Sequence, residues 1–286
     1  MLSVKIKYFI AKILQKFISD RLFTQLRYFS IYAKLPNLSK PETFNEKLAF
    51  SKIYDNSKNR TMLADKFLLK DFVSDKIGSE YVIKTLHVTD QVNTIDFNLL
   101  PNSFIIKATH GSGWNIIVKN KSTINKKMIL KKCKHFLSMN YYYYGRERQY
   151  LNMKPRIMIE TLMLNNNGTV PEDYKLFCFD GVVKYIQVDL TRYSNHERAI
   201  FDINWNKLPL EIAFPKYDGK IEKPENLNHM IKLASKLTEN INFARVDMYN
   251  YKNHIYIGEI TFTPGANVEK FNPSEYDKIF GKSFII

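Results

Sequence analysis

Arg245-Val-Asp-Met-Tyr-Asn-Tyr-Lys-Asn-His-Ile-Tyr-Ile-Gly-Glu-Ile-Thr261 reads as a β-hairpin. A turn centred on Asn253 sets Asp247 opposite Glu259 and Arg245 opposite Thr261, and the period-two alternation of a strand puts all four on one face. Like charges across a sheet are unfavourable unless something neutralises them. Two oxygen ligands on rigid strands suit Mg²⁺ with a bound phosphate; the alternative is a surface hairpin whose acids are solvated. Facing carboxylates repel when no metal is bound, so replacing one by its amide is expected to leave the ligand-free protein as stable as before or slightly more so.

Residues 104–108 read as an apolar strand, followed by Thr109-His-Gly-Ser-Gly-Trp114 and a second strand over residues 115–119. The glycine loop therefore joins strand to strand, whereas Walker loops and dinucleotide fingerprints open a helix. Its backbone N–H groups suit a triphosphate, and Lys107 would add a cation to the same anion. An ordinary tight turn is the plainer alternative. Further strands are expected over residues 156–164, 174–179 and 182–188, the last two joined by Asp180-Gly181, a hairpin signal. Helical patterns cover residues 44–53, 59–74, 126–139 and 224–240. The chain thus reads as α+β with a predominantly antiparallel sheet and no internal repeat.

The 286 residues carry a formal charge of +15 and a pI near 9.5, which calls for an anionic partner: nucleic acid, membrane surface or substrate. No zinc-finger spacing, RNA-binding signature or long basic block is present, so nucleic acid is not expected. Cys133 and Cys178 lack any ligand spacing and read as buried reduced thiols. No run reaches the roughly 18 to 20 apolar residues of a membrane span, nor is there a secretory cleavage site, so a cytoplasmic protein is expected. Residues 3–22 place Ile6, Phe9, Ile10, Ile13, Leu14, Phe17 and Ile18 at helical spacing among lysines. This basic amphipathic helix either packs on the core or lies in an anionic membrane surface.

Several motifs together resemble one family. Phe44-Asn-Glu-Lys47, Ala64-Asp-Lys66, Lys107-Ala-Thr-His-Gly-Ser-Gly113, Gly145-Arg-Glu147, Lys154-Pro-Arg-Ile157, Asp173-Tyr-Lys175, Arg245-Val-Asp247, Gly258-Glu-Ile-Thr261 and Phe271-Asn-Pro273 are similar to those of the TupA-like ATP-grasp proteins of bacterial polysaccharide gene clusters. The resemblance runs from about Pro41 to Ile279. It implies an ATP-grasp fold, two α+β lobes clasping ATP and Mg²⁺, with the glycine-loop lobe at about residues 100–160 and the metal lobe at about 161–286. Residues 1–35 stand outside as the amphipathic helix and its lead-in.

The same resemblance assigns roles. Lys107 would contact the α/β phosphates, with Gly111, Ser112 and Gly113 covering them; His110 either touches a phosphate or is a loop histidine hydrogen-bonded to backbone. Glu160 and Leu162 would offer backbone hydrogen bonds to adenine, and Asp173 would meet the ribose. Asp247, Glu259 and the weaker neutral ligand Thr261 would hold Mg²⁺, while Arg245 and Lys175 would face the transferred phosphoryl group. Asp65 matches the family, though it also reads as a surface acid. The implied activity is an ATP- and Mg²⁺-dependent carboxylate–amine ligase working through an acyl phosphate on a uronic-acid-type surface polysaccharide or its precursor. The alternatives are a glycosyltransferase or sugar kinase of the same biosynthesis, or a basic non-enzymatic binding module.

Overall fold

The computed structural model describes residues 4–55, 57, 59–190 and 196–286. The helices are α1 (Val4–Leu14), α2 (Asp20–Tyr32), α3 (Phe44–Tyr54), α4 (Asn59–Ala64), α5 (Leu68–Ile77), α6 (Lys126–Leu137), α7 (Tyr142–Gly145), α8 (Leu227–Leu237) and α9 (Glu275–Ser283). The strands are β1 (Thr85–Thr89), β2 (Phe104–Ala108), β3 (Asn115–Val118), β4 (Ile157–Thr161), β5 (Asp173–Phe179), β6 (Val182–Leu190), β7 (Glu197–Asp202), β8 (Glu211–Ile212), β9 (Phe243–Tyr251), β10 (His254–Thr261) and β11 (Phe271–Asn272).

Two antiparallel sheets dominate. One has strand order β1-β4-β2-β3 and carries the glycine loop between β2 and β3. Its apolar face packs on α6 through Phe104, Ile106, Ile157, Ile159, Ile129 and Cys133. This sheet recruits β1, which precedes the boundary expected at about residue 100. The other sheet has order β10-β9-β5-β6-β7. One face of it buries Leu176, Val188, Val246 and Met248 against Met230, Ala234 and Leu237 of α8 and Leu69 and Val73 of α5. Its other face is divided between aromatic and ionic halves. Both cysteines are buried free thiols, and burial pushes each thiol up.

Local sequence explains most boundaries. α3 opens with a capping box in which Thr43 accepts from the Glu46 backbone and Glu46 reaches back to the Thr43 N–H. The expected hairpin at Asp180-Gly181 is present, with φ of 49° and 72°, the left-handed pair a tight two-residue turn requires. The single helix expected over residues 59–74 is two helices. Asp65 ends the first and accepts hydrogen bonds from the Phe67 and Leu68 N–H groups at 2.8 and 3.3 Å, restarting the second. Asp65 is fully buried beside Arg156 and Thr109, not a surface acid.

The amphipathic pattern over residues 3–22 is likewise broken. α1 stops at Leu14, and Ser19 accepts from the Leu22 N–H to cap α2, which then runs to Tyr32. Hydrophobic periodicity ran across this cap unchanged and hid it.

Candidate active site

The hairpin β9–β10 delivers the facing carboxylates by a route the spacing alone does not show. Its turn is the two-residue Lys252–Asn253, with φ of 52° and 60°, so Ile257 pairs with Met248 and an unbroken ladder would set Asp247 against Gly258. A bulge at Gly258 shifts the register by one, and only beyond it does Glu259 pair with Asp247 and Thr261 with Arg245. Glycine eases the fit there: a Cβ would lie 3.0 Å from the Tyr249 ring and 3.2 Å from the Asp247 carbonyl oxygen, tight enough that its neighbours would have to give way.

The two carboxylates are not a bare repelling pair. Arg245 donates to both oxygens of Asp247 at 2.7 Å, Lys175 lies 3.5 Å from Asp247, and Lys66 lies 3.0 Å from Glu259. Burial opposes the charge of Glu259, yet Lys66 and Arg245 hold its carboxyl well below the usual carboxylate range. Burial pushes Asp247 up to about 6, with Asp173 and Glu259 adding to the rise against Arg245 and Lys175. An amide at Glu259 would strand Lys66, so lower ligand-free stability is expected there in place of relieved repulsion.

Lys66 stands in the break between α4 and α5 and spans the two sheets. Its backbone N–H donates to the Thr109 carbonyl at 3.2 Å, and its ammonium donates to the Gly111 carbonyl at 2.8 Å while meeting Glu259. It thus ties the glycine loop to the carboxylate hairpin. Lys107 on β2 pairs with Glu160 on β4 at 2.7 Å, and Lys70 on α5 meets the same carboxylate. Burial weighs against the Lys107 charge, but Glu160 outweighs it and its ammonium pKa is raised. For Lys70 burial wins, and its pKa is lowered.

Two adjoining cavities occupy the cleft between the sheets. The larger, about 740 Å³, is lined by Ile83, Ile105, Ile117, Leu162 and Leu190 together with Lys107, Asp173 and Asp189. A smaller one of about 60 Å³ lies beside Lys66, Lys107, Gly111, Ser112, Gly113, Asp173, Asp247 and Glu259. An apolar chamber opening onto a loop of N–H groups, two lysines and two carboxylates suits a nucleoside with its phosphates and a hard cation. Among the described residues no group of three His, Cys, Asp or Glu side chains gathers to hold a metal. A Mg²⁺ ion on Asp247 and Glu259 would complete its shell with phosphate oxygens and water, its usual preference.

Lys107, Gly111, Ser112, Gly113, Leu162, Asp173, Asp247 and Glu259 all border these cavities. Arg245, Lys175 and Thr261 lie beneath, in contact with Asp247 or with one another: Arg245 also donates to the Thr261 hydroxyl at 3.5 Å. One candidate side chain sits elsewhere. His110 is 2% exposed, its ring stacked edge-on against Trp114 and its Nε2 3.0 Å from the Phe136 carbonyl, because the loop folds its imidazole back over α6. The Glu160 side chain is a counterion for two lysines, a role distinct from the backbone contact expected of it.

Sequence reasoning missed Asp189 and Arg198. Asp189 lies 3.0 Å from Lys175 and accepts from Arg198 at 2.8 Å; Arg198 in turn meets Glu269 at 3.1 Å. The signal was available, since extending β6 by alternation brings Gln187 and Asp189 onto the face that carries Lys175 and Asp173, their cross-strand partners. Burial opposes the charge on Asp189, but Lys175 and Arg198 hold its carboxyl far below the usual range.

Two antiparallel α+β layers gripping such a cleft, with a strand-to-strand glycine loop and an acidic hairpin, define an ATP-grasp protein. The chain belongs to the TupA-like ATP-grasp family, which matches residues 46–285. No curated protein matches it. Among solved structures it is similar to D-alanine–D-alanine ligase from Bacillus anthracis complexed with ATP, at 14% identity and a TM-score of 0.44, covering 78% of this chain and 63% of that one. The D-alanine–D-alanine ligase from Helicobacter pylori is similar at 18% identity and a TM-score of 0.44, covering 79% and 62%. The ATP-grasp ligase PsnB complexed with minimal precursor is similar at 11% identity and a TM-score of 0.40, covering 75% and 60%. The chain spans less than two thirds of the length of each.

Proposed function

We propose that the protein is an ATP- and Mg²⁺-dependent carboxylate–amine ligase that modifies a uronic-acid-type surface polysaccharide or its precursor, in the cytoplasm and in contact with the inner membrane face through residues 3–22. The observation that supports it best is the meeting of Asp247 and Glu259 with Lys66, Lys107 and the Gly111–Gly113 loop at the mouth of the larger cavity. When bound, Mg-ATP supplies the phosphoryl group that activates the acceptor as an acyl phosphate for attack by an amine. Asp247 and Glu259 would hold the cation, and Lys107 with the loop N–H groups would hold phosphate oxygens. Lys66 would exchange its Glu259 partner for phosphate. Arg245 and Lys175 keep positive charge fixed beneath the point where negative charge develops. The family match supports the fold and nucleotide chemistry, and the +15 charge suits an anionic glycan.

Product analysis tests the reading. A uronic-acid oligosaccharide and an amine should together drive release of ADP and phosphate with amide formation. ADP with a phosphorylated sugar would identify a kinase, a glycosidic product a glycosyltransferase, and absence of nucleotide turnover a binding module.

A further inference from the structure

α1 keeps outside the side that its sequence makes apolar. Phe9 is 62% exposed and Phe17, just beyond the helix, 79%, with Ile10 and Ile13 beside them. The helix is held by its other side, where the Tyr8 hydroxyl accepts from the Asn140 N–H at 2.9 Å and its ring meets Tyr143 and Tyr144. α2 likewise leaves apolar residues outside while its inner side packs Tyr28 against Tyr32. It buries Thr24 and Tyr28 completely and leaves Leu22, Leu26 and Phe29 at 45%, 50% and 52% exposure. Two successive helices with apolar residues outward mark an interaction surface.

Charge identifies the partner. The first 35 residues hold seven Lys and Arg and one acid, Asp20. That carboxylate is only 16% exposed and is engaged by Arg146 at 3.2 Å and Arg148 at 3.3 Å, while Lys12, Lys16, Arg21 and Lys34 face solvent. The exposed surface is therefore apolar and cationic. A second copy of the chain would bring like charges together, whereas an anionic bilayer offers acyl chains and phosphates at once.

We propose that α1 and α2 form one docking surface for an anionic lipid bilayer, with Phe9, Phe17 and Phe29 entering the interface and Lys12, Lys16 and Arg21 meeting headgroup phosphates. This deepens the membrane contact in the functional reading, adds α2 to it, and stands apart from the cleft chemistry. The test is co-sedimentation of the full chain with vesicles of phosphatidylglycerol mixed with phosphatidylcholine, and with phosphatidylcholine alone. Binding should require phosphatidylglycerol and weaken as salt rises. It should fall roughly fivefold for Lys12→Gln or Lys16→Gln, and more than about tenfold for the triple variant Phe9→Glu, Phe17→Glu, Phe29→Glu.

All three phenylalanines are exposed, so melting temperature and ADP release without vesicles should be unchanged. Those readouts separate failure of docking from failure of the ligase reading. Equal binding to both vesicle types, no binding to either, or unchanged binding of the triple variant overturns the proposal. So does a lipid-free dimer, seen by sedimentation velocity, that the triple variant abolishes.

Discussion

On one face of the five-stranded sheet, neighbouring strands change character within two residues. Along β5 the face reads Asp173, Lys175, Phe177, Phe179, and along its partner β9 it reads Tyr249, Asp247, Arg245, Phe243. Phe179 and Phe243 face Phe44 and Phe284 in a packed aromatic cluster closed by Phe280 and Phe271. Lys175 and Asp247, two pairs further on, belong to the ionic network under the cleft. Backbone, burial and register are shared, so side chains alone make one half a foundation and the other a site. The aromatic half is satisfied internally: α9 approaches α3 closely enough that a Cβ on Gly281 would lie 2.2 Å from the Glu42 carbonyl, and Lys47 caps the Gly281 and Phe284 carbonyls. The ionic half is satisfied only by mutual pairing, which a phosphate or a divalent cation can replace.

The largest effect should come from breaking the aromatic half. Phe44→Ala removes the ring that Phe177, Phe243, Phe271 and Phe280 enclose and should cost about 3 to 5 kcal/mol in urea unfolding. Turnover per folded molecule in the cold should be retained. Loss of activity at full folding would show that the two halves are coupled.

Glu259→Gln inverts that result. Turnover should drop about a hundredfold or more, and the rise in melting temperature conferred by Mg-ATP should vanish. The ligand-free melting temperature should fall modestly, because Lys66 loses its counterion. A higher ligand-free melting temperature would mean that repulsion between the carboxylates, not Lys66, sets the charge balance.

Lys107→Ala probes the cavity mouth more gently. Losing a charge-assisted contact of roughly 1.5 to 3 kcal/mol should weaken ATP binding about tenfold or more by calorimetry. It also leaves Glu160 with Lys70 alone. Unchanged affinity with the fold intact would remove Lys107 from the nucleotide site.

The smallest effect concerns a buried lysine on α3. Lys52 donates to the Gly145 carbonyl at 3.0 Å, and burial lowers its pKa from 10.5 to about 7 against the pull of Glu147. Between those values the unfolded chain holds the proton and the folded protein does not, so this group makes stability rise with pH from about 7 toward 10.5. Lys52→Met should remove that slope, giving a variant that loses ground to the wild type as pH is raised from 7 to 9 in thermal melts. A constant difference across that range would show that Lys52 stays charged through its partners.

Much of the site was legible because it rests on local rules. Strand alternation put Arg245 and Asp247 on one face of their strand and Glu259 and Thr261 on one face of theirs, and a glycine loop between strands set Lys107 beside the loop that lines the smaller cavity. The recurrence of family motifs tied the two together across the chain. What was illegible is long-range. Asp189 and Arg198 look like any solvated charges in a chain of this composition until burial decides that each must find a partner.

The sequence by itself determined the α+β class, the hairpin at Asp180-Gly181 and the apolar stripe of the first helix, all of which follow from spacing within a single turn, strand or helix. Only the tertiary structure decided that a bulge at Gly258 supplies the carboxylate register, that His110 turns into the core, and that Lys66 joins the two sheets. It also decided that α2 faces its leucines outward. Each of these depends on which surface meets which, and a side chain's charge, exposure and partner are set by neighbours far away in the chain.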